Sequence, residues 1–137
     1  MCIRDSGASP ASVIILVAIV LMVAELILMG GRFAAAHADV SGAAREAARR
    51  GSISQTESSV YPVASSTALD NVARNTKHCR STTVSIAGTE FRQGGHVTVQ
   101  VTCQVLLNDL GFLPVPWGAQ TVRAEATELV ETYRAID

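Results

Sequence analysis

The chain opens with a continuous apolar run and continues into an alanine-rich, charged stretch, and together they predict one long helix. Residues 13–29 are apolar except for Glu25, and residues 30–51 carry charges at helical spacing. Pro10 suits a first helical turn and Gly51 suits a C-terminal stop. A helix over 13–29 is roughly 26 Å long, about enough to cross a bilayer. We therefore predict a transmembrane half followed by an amphipathic stalk.

Residues 52–137 predict a small α+β head. Residues 52–59 are polar and suit a linker, and the apolar spacing of residues 62–75 indicates a second helix. Beyond it, apolar and polar residues alternate with a period of two, which is typical of half-buried strands. The three strand-like runs are 82–87, 96–107 and 120–131. We expect a three-stranded antiparallel meander with the second helix packed on it.

Composition narrows the classes of function. Eleven basic and 12 acidic residues give a net charge of -1, so the chain has no basic field for nucleic acid. No Gly-rich phosphate loop, nucleophile elbow or metalloprotease helix is present, and the carboxylates of the head are scattered along the sequence. We expect neither enzymatic activity nor a cofactor. Partners are to be sought through shape and apolar surface.

The head contains two of the three cysteines, Cys79 and Cys103, whereas Cys2 precedes the apolar run. In an oxidising compartment Cys79 and Cys103 are free to pair. A hairpin of the first two predicted strands brings these two cysteines nearly opposite each other. Cys79 has the alternation phase of Ser81 rather than of Val84. A β-bulge, or a position outside the strand, is needed to direct it towards Cys103.

A metal site is the competing interpretation of these cysteines. Its ligands would be His78, Cys79, His96 and Cys103. Adjacent side chains of an extended segment point apart, and the sequence lacks the paired-cysteine spacing of structural zinc sites. We favour the disulfide over the metal site.

The connection between the last two predicted strands is apolar and contains two prolines, which forbid regular strand pairing. Its large apolar side chains include Phe112, Leu113 and Trp117. Such a segment either tucks under the sheet, as loops of small domains do, or contacts a partner or the membrane surface.

The long helix carries two features that suit assembly. Glu25 is an ionisable group within the apolar run, where an unpaired charge costs about 2.5 to 3.5 kcal/mol at the helix centre. It either pairs with a charged partner or snorkels to the interface towards Arg32. Farther on, Ala34, Ala38 and Gly42 are spaced four residues apart, and small residues at this spacing let another helix or a sheet approach closely.

Residues 7–51 resemble the N-terminal region of TadE-like pilus-assembly proteins, which are pilin-like components of tight-adherence systems. Their sequence is GASPASVIILVAIVLMVAELILMGGRFAAAHADVSGAAREAARRG. The edge from Glu25 to Arg32 and the tract from Ala43 to Arg49 carry most of the similarity, and the C-terminal segment VRAEATELVETYR continues it. The resemblance implies a pilin-like, single-pass protein of the cytoplasmic membrane that helps to build a pilus. Its implied partners are membrane lipid, other pilin-like subunits and the assembly machinery, with oligomerisation through the N-terminal helix.

The N-terminal segment, residues 1–12, departs from the pattern of pilin-like precursors. Such precursors carry a glutamate a few residues after the glycine at which they are processed. Counting from Gly7, the candidate processing position, Ser12 stands there. Residues 1–6 resemble a translated sequencing-adapter remnant, so we assign them no chemistry.

Charge and resemblance predict opposite topologies. Four arginines, from Arg32 to Arg50, follow the apolar run and only Arg4 precedes it, which by charge alone places the head inside. The resemblance, the cysteine pair and the Ser/Thr-rich strands place the head outside the cytoplasmic membrane, and we adopt that orientation.

A secreted binding domain is the alternative function. Ala36-His37-Ala38 is an acceptable small-residue site for signal peptidase, although it lies far beyond the apolar run. Cleavage there would release a protein that starts at Asp39.

Overall fold

The computed structural model describes residues 10–77, 79–106 and 118–131. Over these residues the chain has an α+β fold with a three-stranded antiparallel sheet in the order β1-β2-β3, which confirms the predicted fold class. The elements are α1 (Pro10–Ser52), α2 (Glu57–Asn75), β1 (Cys79–Ser85), β2 (His96–Leu106) and β3 (Ala119–Leu129).

Helix α1 is continuous over 43 residues, so the apolar run and the charged stretch form one helix as predicted. It begins at Pro10 and ends one residue beyond Gly51. At 1.5 Å per residue α1 is about 65 Å long. Among the described residues, only those in its second half and Met29 pack against the other elements, so the predicted stalk is the central helix of the head.

The core lies between the second half of α1, α2 and the inner face of the sheet. The valines of β2 alternate with polar residues, and its inward-facing side chains Val97, Val99, Val101, Cys103 and Val105 are fully buried. The residues of α1 that face them are small, which lets the helix backbone approach the sheet closely. They are Ala36, Val40, Ala43, Ala44, Ala47 and Ala48.

Helix α2 begins at Glu57, five residues before the predicted start at Pro62. Thr56 has extended backbone angles and occupies the N-cap position. Its backbone N–H donates to Ser59 Oγ at 3.4 Å, and Ser59 Oγ donates back to the Thr56 carbonyl at 2.7 Å. This cap starts the helix upstream of Pro62, which sits inside it and leaves the Ser58 carbonyl without its usual helical donor.

The three strands lie where alternation predicted them, with shifted ends. β1 ends at Ser85 rather than at residue 87, because Gly88 turns the chain with a φ of 81°. The predicted Gly94-Gly95 turn precedes β2, and Gly94 has a φ of 72°. β3 pairs with β2 in one uninterrupted register, from His96 opposite Leu129 to Leu106 opposite Ala119.

Candidate functional site

The first half of α1 is an unpacked apolar rod. Its large side chains from Val13 to Leu28 are between 49% and 69% exposed. The described residues therefore leave a segment of roughly 24 Å with its hydrophobic side chains uncovered. By length and composition this is a candidate membrane span.

The rod ends where the head begins. Met29 is partly buried and packs against the core, so the head reaches back almost to the end of the apolar run. Three residues later, Arg32 lines a cavity of about 210 Å³ together with Asp39 and Lys77. Thr76 Oγ1 donates to Asp39 Oδ2 at 3.4 Å, which ties the end of α2 to α1. Polar and charged groups thus gather directly beside the apolar segment.

These junction residues could not be grouped from the sequence. Asp39 and Thr76 are 37 residues apart, and neither belongs to a motif. The two residues meet because α1 and α2 pack antiparallel, which places the C-terminal end of α2 beside the middle of α1. That contact depends on tertiary structure.

The predicted assembly residues of α1 lie at the surface or at partly exposed positions. Glu25 and Arg32 are partly exposed, and each interacts with another group of the chain. Ala34, Ala38 and Gly42 are all exposed. A different set of small residues packs on the sheet, so the described part of the fold leaves these three uncovered, and their role in assembly stays a prediction.

A disulfide joins Cys79 to Cys103, with the two Cα atoms 5.6 Å apart. Cys79 is the first residue of β1 and lies opposite Val105, whereas Ser81 lies opposite Gln104. The register shifts between these two pairs, which is the irregularity that the alternation phase of Cys79 required. The bond fastens the edge strand β1 to the central strand β2.

The same bond bears on the alternative metal site. A disulfide sulfur lacks the thiolate charge that zinc binding requires. Among the described residues, no group of three or more His, Cys, Asp or Glu side chains could hold a metal ion. His78 lies outside the described residues.

A polar groove separates α1 from α2 on the outer surface of the head. It has a volume of about 660 Å³ and is lined by side chains of both signs. Arg50 Nε and Glu46 Oε1 form an ion pair of 3.1 Å along one side of this groove. The two side chains are 59% and 38% exposed. A solvated ion pair of this kind contributes little to stability or binding. The lining residues are Gly42, Glu46, Arg50, Thr67, Asp70, Asn71, Arg74 and Asn75.

Two sets of predicted site residues lie outside the described part of the chain. They are the candidate processing glycine, Gly7, and the candidate contact residues Phe112, Leu113 and Trp117. Their roles stay predictions.

No known protein family, curated protein or solved structure matches the chain.

Proposed function

We propose that this protein is a membrane-anchored, pilin-like structural or assembly component of a tight-adherence pilus system, with its head outside the cytoplasmic membrane. The sequence resemblance to TadE-like proteins motivates the specific system. The anchoring is supported by one observation: the first half of α1 is apolar and exposed, and its second half packs in the core of the head. The work of such a protein is assembly without turnover.

The disulfide supports the orientation of the head. Disulfides form and persist in oxidising compartments, and Cys79 with Cys103 cross-links the sheet. The polar faces of the strands, which are rich in serine and threonine, suit a solvated head on that side of the membrane.

The secreted alternative is less compatible with the fold. Cleavage after Ala38 would remove Ala36, which is 2% exposed within the core, and would place a new chain end between Ala36 and the buried Val40. The released head would begin inside its own central helix.

Membrane extraction and intact mass test the anchor directly. We expect the protein to stay in the pellet after alkaline carbonate washing and to dissolve in detergent, with an intact mass that includes the apolar segment. Replacing Leu21 by Arg puts a charge at the middle of the span, costs about 2.5 to 3.5 kcal/mol of insertion free energy and should release part of the protein. A mature protein that starts at Asp39 would refute the anchor.

Co-purification tests the assembly role of α1. Glu25→Gln removes the charge but keeps the side-chain size, so we expect weaker recovery of other pilus components from detergent extracts. Ala38→Leu should act in the same direction, because a large side chain on an exposed small-residue face keeps a neighbouring helix away. Unchanged recovery with both variants would exclude this face and Glu25 from assembly.

A further inference from the structure

The two edges of the sheet are unequal. β1 is seven residues long and contains the register shift after Cys79, and short or bulged edge strands resist pairing with other chains. β3 has 11 residues, no register irregularity, and no proline, glycine or lysine, and its only charged residues are Arg123, Glu125 and Glu128. Natural proteins usually protect such a long, regular edge. Among the described strands, only β2 pairs with β3.

The hydrogen bonds at the end of β3 show which backbone groups face outwards. The Val130 N–H donates to the Gly95 carbonyl at 2.9 Å, so the backbone of Val130 is directed at the β2 side. The direction alternates along an antiparallel strand, so the even-numbered residues of β3 bond to β2. The N–H and C=O groups of Thr121, Arg123, Glu125 and Thr127 therefore point away from the sheet.

The charged side chains at this edge are complementary to the same side chains of a second copy. Arg123 and Glu125 are exposed neighbours on the outer face of β3. Glu125 Oε2 accepts a hydrogen bond from Gln100 Nε2 at 3.2 Å, and the described residues offer no ion pair to Arg123. The strand Ala119–Leu129 is centred on Ala124, so a two-fold axis at Ala124 brings the arginine of one copy opposite the glutamate of the other.

We infer that the edge of β3 is an interaction surface for a second copy of this chain, which pairs through its own β3 in antiparallel orientation with Ala124 opposite Ala124. The two sheets become one six-stranded sheet. In this register Arg123 of each copy faces Glu125 of the other, and both residues have outward-facing backbone groups. They form a hydrogen-bonded pair that exchanges two N–H···O bonds.

The charges select this register over its neighbours. Moving one copy by two residues in one direction places Arg123 opposite Arg123, and moving it in the other places Glu125 opposite Glu125. Like charges directly opposite each other destabilise a strand pair, whereas opposite charges stabilise it. The favoured register is also the only one that overlaps all 11 residues of both strands. Length and charge therefore favour the same arrangement.

The pairing has a definite consequence for the anchors. Cys79 at the start of β1 lies opposite Val105, near the end of β2. Asp39 of α1 is hydrogen-bonded to Thr76, which lies close to this end of the sheet. Gly51 of α1 lies against Val97, at the other end of the sheet. α1 thus runs along the sheet, and the two-fold axis reverses its direction. The anchors of the two copies therefore point in opposite directions, so neighbours held in one membrane cannot form this pair, whereas copies extracted from the membrane or assembled outside it can.

Charge reversal in the detergent-solubilised full chain tests the surface. We expect a concentration-dependent dimer by sedimentation velocity. Arg123→Glu or Glu125→Arg alone turns both symmetric pairs repulsive, so each should raise the dissociation constant about tenfold. Mixing the two single variants should restore association, because one copy then presents two glutamates at this edge and the other presents two arginines. The double variant Arg123→Glu/Glu125→Arg should dimerise like the parent.

Arg80→Glu is the matched control, since Arg80 is an exposed arginine on the other edge strand, and it should leave the dissociation constant unchanged. Unfolding temperatures of all variants establish that the head stays folded. A monomer at every concentration would overturn the inference. So would a dimer that the single reversals do not weaken, or single variants that fail to associate on mixing. The inference does not depend on the proposed pilus role, and membrane extraction tests the anchor separately.

Discussion

Gly51 shows how one residue can be placed correctly by sequence and still have a different role. Its position near the end of α1 was predicted from helix-stop chemistry. In the structure Gly51 is buried against the head, and the glycines with positive φ among the described residues are Gly88, Gly94 and Gly118. The residue at position 51 must therefore be small because β2 and α2 approach it closely.

Substitution of Gly51 should destabilise the head despite the gain in helix propensity. A Cβ there would lie 3.1 Å from Val97 Cγ1 and 3.5 Å from Val60 Cγ1. Gly51→Val overfills this contact and should cost about 1 to 3 kcal/mol, measured by thermal unfolding in detergent. Gly42→Ala is the control: nothing lies within 4 Å of its added Cβ, so it should be neutral or stabilise by up to about 1 kcal/mol. Equal effects at both glycines would contradict the close contact.

The disulfide is the second residue-scale feature. Its loop separates the two cysteines by 24 positions in sequence, and closing such a loop stabilises the fold by on the order of 3 kcal/mol in the chain-entropy model. The double variant Cys79→Ala/Cys103→Ala should lose about that much unfolding free energy. A reducing agent should lower the unfolding temperature of the parent and leave the variant unchanged. An effect of reduction on the variant would point to another thiol.

At the scale of elements, the sequence predicts what periodicity encodes. The strands were found because apolar and polar residues alternate over β2 and β3, and the long helix because its apolar run is broken only by Glu25. The start of α2 was missed because Ser59 takes the place that glutamate or glutamine usually has in a capping box, and because Pro62 looks like a first helical residue. The face of α1 that packs on the sheet was also missed, since alanines lie on every side of that helix.

The cap of α2 should be measurable on its own. Ser59→Ala removes the acceptor of the Thr56 N–H and the donor to the Thr56 carbonyl. We expect a loss of about 1 kcal/mol in unfolding free energy. Ser66→Ala is a matched control, because Ser66 lies exposed inside the same helix and, among the described residues, its hydroxyl donates only to the Val63 carbonyl within the turn. A larger loss at Ser66 than at Ser59 would mean that α2 is not started by this cap.

At the scale of the whole molecule, the boundary between anchor and head lies near Met29 and not near Gly51. The sequence placed the head after α1 because the charged half of that helix looks solvated, yet its alanines form the middle of the core. Alanine gives no apolar stripe strong enough to recognise, so this half of the fold could not be predicted from its pattern.

Two truncations separate these boundaries. A chain that starts at Met29 keeps every described core residue, so it should fold with the unfolding temperature of the parent and stay in the soluble fraction. A chain that starts at Asp39 loses Ala36 and the packing of Met29, which should cost about 1 to 2 kcal/mol of unfolding free energy. Equal stability of the two would show that residues 29–38 contribute nothing to the head.

The continuity of α1 also determines how the molecule carries load. Within the described helix no proline follows Pro10, and the helix continues unbroken through Gly30 and Gly31, so tilting the anchor also tilts the part of α1 that packs in the head. A pull along the anchor is transmitted as shear between α1 and the strands beside it. The Cys79–Cys103 bond fastens β1 to β2 and lies outside that path. When the opposing load acts on the sheet, we expect α1 to slide from it while the cross-linked strands stay intact, so that the packing of small alanine side chains limits the mechanical strength.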